Sequence, residues 1–272
     1  MTFGPDHYVP VLKVKQGEKS ALQRISPMHQ SRITPLLEIV VREPTKTLSA
    51  HLDTAFTDLA EAIHSYARCF LDTHEIAADG LVGAEEVFRR ASDAGMAFTP
   101  VTGISRTADV APALAHRANG LALRLTRAEF ERGGLTRGIN NFLSEHGLAP
   151  EQLDLIIDLG GVEDLIIEGV VALTDAFMAE VPDHQRWHTL TISACSFPKS
   201  MGGIDRDSHA LVELLWRDAA MALLEKRDAA QGVRGKPRWM VWDRICAVFG
   251  VKEIGAAVRA QLKARAKKRV PV

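Results

Sequence analysis

Several charged residues stand at the ends of short apolar runs, where a folded chain could gather them. Lys13 and Lys15 lie two apart in Val9-Pro10-Val11-Leu12-Lys13-Val14-Lys15. Two ammonium groups at i and i+2 of one strand are ~7 Å apart, close enough to grip one phosphate or two carboxylates. Glu18 follows at a distance that could orient one of them. Glu38, Asp72, Asp158 and Asp243 each end an apolar run. Grouped carboxylates could move protons or hold a divalent cation, and Mg²⁺ is the cofactor such a set would take. Arg124 has the fork geometry of a clamp for carboxylate or phosphate. Ser193 and Ser196, with Met201-Gly202-Gly203 beyond them, could present hydroxyls and backbone N–H groups to a phosphate. Each feature has a plainer alternative. The lysines could mark a strand emerging into solvent. The carboxylates could be spent on Lys13, Lys15 and Arg124 in a closed ion-pair plug, since burial of charge demands pairing.

Other catalytic signatures are missing from the sequence. It contains no HExxH, GxSxG or Walker pattern, which leaves a standard zinc protease, hydrolase triad or P-loop without support. His74, two residues after Asp72, is a candidate acid or base, although a loop histidine is the simpler expectation. Cys69, Cys195 and Cys246 are few and far apart, so they read as buried structural thiols and not as a disulfide framework.

The elements that would carry these residues recur as a short β-branched or apolar run followed by helical periodicity. Strands are expected at 9–15, 33–40, 69–72, 97–102, 120–126, 153–159, 188–194 and 238–242. Helices are expected at 20–28, 49–67, 84–94, 109–117, 127–146 (broken at Gly133-Gly134), 163–181 and 208–227, with a basic tail helix over 252–269. Alternating strands and helices imply a parallel sheet built from βαβ crossovers. Eight units in a chain of 272 residues predict an α/β fold, a single (β/α)8 TIM-barrel-like domain over 1–272 with a short basic C-terminal helix or tail at 252–272. An open doubly wound parallel sheet is the alternative. It would normally show a glycine fingerprint after the first strand, where this chain has Gln16-Gly17-Glu18-Lys19.

A barrel makes a sharper statement, because alternate strand residues point to opposite faces. Leu12, Val14, Leu37, Ile39, Leu71, Leu123, Leu125, Leu155, Ile157, Leu190 and Ile192 would face the helices. Val11, Leu36, Phe70, Ala122, Ile156 and Thr191 would face inward. The same parity carries Lys13, Lys15, Glu38, Asp72, Arg124, Asp158 and Ser193, with Asp243, to the C-terminal mouth, where barrel active sites lie.

The opening Tyr8-Val9-Pro10-Val11-Leu12-Lys13-Val14-Lys15-Gln16-Gly17-Glu18 resembles the start of the phage beta-protein family. Pro35-Leu36-Leu37-Glu38-Ile39 resembles its second block, and Ser196-Phe197-Pro198 a late Ser-Phe-Pro element. Asp72, Arg124 and Asp158 sit where that family places charges at strand ends. Where the family carries Gly-Asp-Tyr, this chain has Trp242-Asp243-Arg244 and keeps only the Asp. The resemblance implies one domain and a phage or prophage setting, and supplies no reaction.

Lys and Arg total 33 against 34 Asp and Glu, so no global field draws the chain to nucleic acid or an anionic membrane. No apolar run is long enough to span a bilayer and no secretory signal is visible, so a cytoplasmic setting is expected. The basic run Lys263-Ala264-Arg265-Ala266-Lys267-Lys268-Arg269 is a local exception, suited to nucleic acid or an acidic partner, or to a solvated helix end. Together these features predict a barrel enzyme for a phosphorylated or other anionic substrate, with metal-assisted phosphodiester hydrolysis as one form. The catalytic set would be Glu38, Asp72 and Asp158. The substrate-binding set would be Lys13, Lys15, Glu18, Arg124, Ser193, Ser196 and Asp243. Two alternatives stand beside it: a non-catalytic protein that recognises a ligand or protein partner in phage–host conflict, and a nucleic-acid binder using the basic tail.

Overall fold

The computed structural model describes residues 3, 7–162 and 165–195, together with the backbone of 245–249. Seven strands, β1 (Val11–Lys13), β2 (Leu36–Glu38), β3 (Cys69–Asp72), β4 (Phe98–Thr102), β5 (Leu121–Thr126), β6 (Leu153–Gly161) and β7 (Thr189–Cys195), form one all-parallel sheet. Their order in space is their order in sequence, without the reversal that defines a doubly wound sheet. A further strand, β8 (Ile245–Phe249), pairs in parallel with β7. The expected strand at 238–242 lies outside the described residues. So do the helix at 208–227, the tail, Ser196 and Asp243.

Between the strands run α1 (Gln16–Arg24), α2 (Pro27–Gln30), α3 (Leu48–Phe56), α4 (Leu59–Ile63), α5 (Gly80–Asp93), α6 (Val110–Ala115), α7 (Arg127–Glu131), α8 (Leu135–Glu145) and α9 (Ile167–Glu180). Local chemistry sets several of their ends. Thr47 accepts from the Ala50 N–H and starts α3. Thr126 and Glu129 form a capping box at α7. Gly133 and Gly134, at φ 77° and 74°, divide α7 from α8 as expected. The single helix predicted over 49–67 is instead two, because Asp58 adopts a left-handed conformation at φ 59° and turns the chain. The helix predicted at 20–28 begins earlier, at Gln16, and stops before Pro27.

The sheet is nearly closed into a barrel. Arg124 on β5 reaches Glu38 on β2 at 2.7 Å, although three strand spacings span ~14 Å in a flat sheet. The side-chain parity read from the sequence holds. Leu12, Leu37, Leu71, Leu123, Leu155 and Ile192, among others, pack in the outer core under the helices. Phe3, Val9, Leu36, Phe70, Val101, Ala122 and Ile156 form a second, inner core, with Val11 packed against it.

The inner core is bounded below by a buried ion pair. Arg68, just before β3, donates to both oxygens of Asp154 at the start of β6, at 2.5 and 2.9 Å. Thr189 and His188 also contact Asp154. The guanidinium of Arg68 lies 5.3 Å from the Phe3 ring centre and 5.0 Å from that of Phe70, within cation–π range. Burial would raise the Asp154 carboxyl, but His188, Arg68 and Thr189 outweigh it and bring it down to about 2. A depressed carboxyl contributes stability that is present above its unfolded pKa of ~4 and is lost as pH falls toward 2. Replacement of Asp154 by Asn should therefore lower the urea midpoint at pH 7 and flatten its dependence on pH below 4. A variant that keeps the wild-type acid slope would show that this pair does not set it.

Candidate functional site

The C-terminal ends of β2, β3, β5 and β6 converge on Arg124. The register explains the meeting: Lys13 pairs with Glu38, Glu38 with Asp72, and Thr126 with Asp158. Arg124 Nη1 donates to Glu38 Oε1 at 2.7 Å and to Asp72 Oδ2 at 2.6 Å. Its Nε and Nη2 both donate to Asp158 Oδ2, at 3.0 and 2.5 Å. These four bonds occupy four of the five N–H groups a guanidinium has. Arg124 is only 6% exposed. Burial disfavours its charge, but Asp158, Asp72 and Glu38 raise its pKa well above the ordinary arginine value.

The carboxylates differ in how fully they are engaged. Asp72, fully buried, accepts from Arg106 on both oxygens at 2.6 and 3.3 Å, from Arg124, and from the His74 N–H at 2.9 Å. Burial pushes its carboxyl up, yet the two arginines hold it well below the usual range. Asp158 uses Oδ2 for Arg124 and Oδ1 for the Gly160 N–H at 2.9 Å. Glu38, 7% exposed, uses only Oε1. Among the described residues its Oε2 has no partner.

Arg106 and Asp109 belong to this network, and strand parity could not find them because they lie in the loop after β4. Asp109 accepts from Thr102 at 2.5 Å and Thr73 at 3.1 Å, and lies 3.5 Å from Arg106. Burial raises its carboxyl despite Arg106 and the Thr102 hydroxyl, with Asp72 adding to the rise. Gly103 makes the close approach possible: a Cβ there would come within 3.0 Å of the Arg124 carbonyl oxygen and 3.2 Å of Arg106 Nε. The loop is tied to its neighbour by Glu129, which accepts from Ser105 through one oxygen and from Thr126 through the other. An Arg–x–x–Asp pair beginning four residues after the end of a strand was the available signal in the sequence.

Lys13 and Lys15 occupy the rim. Lys13 is 47% exposed by side chain and lies 3.5 Å from Glu75; among the described residues it forms no ion pair with its register neighbour Glu38. Lys15 is not on the strand as expected. β1 ends at Lys13, the Lys15 N–H turns back to the Lys13 carbonyl at 2.7 Å, and Lys15 becomes the exposed N-cap of α1. Glu18 orients neither lysine among the described residues. It stands in the first turn of α1, where a carboxylate complements the helix dipole. Ser193 is buried on β7 in register with Asp158. His74 is exposed. Cys69 is buried, which pushes its thiol up to about 12, but Cys195 is exposed, against the expectation of a buried thiol.

This donor set does not fit a divalent cation. The carboxylate oxygens that would ligate one already face Arg124 and Arg106, whose positive charges stand where a metal would sit. Among the described residues, no three His, Cys, Asp or Glu side chains form a metal-ligating group, and no helix is long and apolar enough to cross a membrane.

Comparison with known proteins bears on the chain as a whole. The family model described as Beta protein matches residues 8–229, and the chain belongs to that family. No curated protein matches it. The matched span contains every charged group of the mouth described above.

Removal of Arg124 tests the electrostatics of the mouth. Arg124→Leu leaves three carboxylates facing one another and should cost about 3–5 kcal/mol at pH 7. The deficit relative to wild type should shrink at pH 3, because protonation relieves the repulsion in the variant while the wild type, now below the unfolded pKa of ~4, begins to lose the stability tied to the depressed Asp72. Urea titrations at the two pH values read both effects. An equal deficit at both would refute this account.

Proposed function

We propose that this member of the Beta protein family is a (β/α)8-barrel enzyme that acts on a phosphorylated or other anionic substrate at its C-terminal mouth. One observation carries the reading. Arg124 fixes carboxylates from β2, β3 and β6 around one point at the strand ends, and among the described residues Glu38 has an oxygen without a partner. Lys13 and Lys15 receive the anion. Glu38 is the catalytic residue and transfers the proton. Asp72 and Asp158, whose oxygens are taken up by guanidinium and backbone N–H groups, are positioning residues that act through Arg124. Ser193 supports this wall of the mouth from β7. General acid–base hydrolysis suits this arrangement better than the metal-assisted form, since the guanidinium already supplies the central positive charge.

A non-catalytic barrel that recognises a partner is the second reading. The near-complete use of Arg124 within the chain favours it, because an arginine so engaged has little left to offer a substrate.

The two readings separate in a hydrolysis assay on a panel of aryl phosphate monoesters and diesters. The enzyme reading expects turnover, a Lys15→Ala variant with raised KM, and a Glu38→Gln variant with kcat lowered ~10²–10⁴-fold at intact fold. Turnover by neither class of ester, or turnover unchanged in Glu38→Gln, would overturn it in favour of the binding reading.

A further inference from the structure

The strand ends opposite Arg124 carry a feature that the charge network does not use. A cavity of about 810 Å³ opens where the chain enters β3 and β4, a volume within the ~300–1,000 Å³ of small-molecule sites. Three stretches line it: residues 60–66, at α4 and just beyond; residues 94–97, between α5 and β4; and Gln23 with Gln30, from α1 and α2. Part of the lining is buried, with Gln30, Ile63, Tyr66 and Met96 each 7% exposed or less. Gln23, Glu61, His64 and Ala94 are its exposed part.

The buried polar groups are held in place. Tyr66 donates to the Leu22 carbonyl at 2.9 Å, so its oxygen is left to accept from the Gln30 amide. Burial pushes the phenol up to about 12 despite that bond, and it stays neutral. The bond uses an N–H of Gln30 and leaves the amide's own oxygen as an acceptor.

Charge narrows what such a cavity can take. Among the described residues, no Lys or Arg lines it. Arg24 and Arg90, in the last turns of α1 and α5, are outside the lining, and Arg90 is engaged with Glu86 and Asp53. A phosphate or carboxylate would therefore be desolvated without a fixed counter-charge. Glu61 lines the cavity instead, exposed and in no ion pair among the described residues. Gln23, in the last turn of α1, and Ala94, the C-cap of α5, line it too. Two helices thus bring to it their C-terminal ends, whose partial negative charge favours cations. Ile63 and Met96 supply apolar surface beside these groups.

We propose that this cavity is a second binding site, for a small organic cation with an apolar body, its ammonium group at Glu61 and its hydrocarbon against Ile63 and Met96. The site is independent of the reaction proposed for Glu38 and lies at the other end of the strands.

NMR titration of the full chain with benzylammonium, benzyl alcohol and benzoate tests it, because the three share a ring and differ in charge. Benzylammonium should shift the amides of Gly95, Met96 and Tyr66 and bind about threefold or more tightly than benzyl alcohol, the scale of one exposed ion pair. Benzoate should bind more weakly than either. Glu61→Gln should remove the preference for the cation while keeping binding of the alcohol, and Ala94→Trp, which fills the opening, should abolish binding of both. Benzoate binding as tightly as benzylammonium, no shifts at these amides with any probe, or a cation preference that survives Glu61→Gln overturns the proposal. If Ala94→Trp does not fold, the wild-type series and Glu61→Gln still decide.

Discussion

Closing a parallel sheet brings residues from separated strands face to face, and Arg124 shows what that constraint demands. A guanidinium on β5 that is 6% exposed must find carboxylates, and it finds them on β2, β3 and β6. Removing the charge from water costs several kcal/mol, which only multiple short charge-assisted hydrogen bonds can offset. The curvature of the sheet and the charge network therefore depend on each other. Strand register supplies the carboxylates at one level, and the curl brings them within reach.

The loop after β4 extends this dependence beyond the strands. Arg106 brings a second guanidinium onto Asp72, and Glu129 anchors the loop through Ser105 and Thr126. Asp72 thus holds two like charges near one another. Its role is that of a hub more than of a reacting group. Glu38 is the least engaged member of the network: among the described residues only one of its oxygens has a partner.

Much of the scaffold was legible because strand alternation is a strict rule. Leu36 and Leu37 look alike as residues, yet period-2 reasoning sends one inside and the other under the helices, and both go there. The same rule brought Glu38, Asp72, Arg124 and Asp158 together. It failed where the chain leaves strand geometry. Lys15 reads as strand because it continues the alternation, but β1 stops at Lys13 and Lys15 caps a helix. Arg106 and Asp109 lie on a loop, where no period predicts direction. Asp58 is a left-handed break that nothing in the helical pattern of 49–67 announces. Arg68 and Asp154 were missed because Arg68 precedes its strand and Asp154 opens one, at the end of the barrel where no site was sought.

The inner layer of Leu36, Phe70, Val101, Ala122 and Ile156 lies between the Arg68–Asp154 pair and the Arg124 network. It works as insulation. Among the described residues, the groups at the two ends of the sheet share no hydrogen-bond partner, and substitutions at sites separated in this way tend to add with little cross-term. The lower pair can anchor the fold while the residues of the upper network vary, so change at one end does not re-open the problem of staying folded at the other.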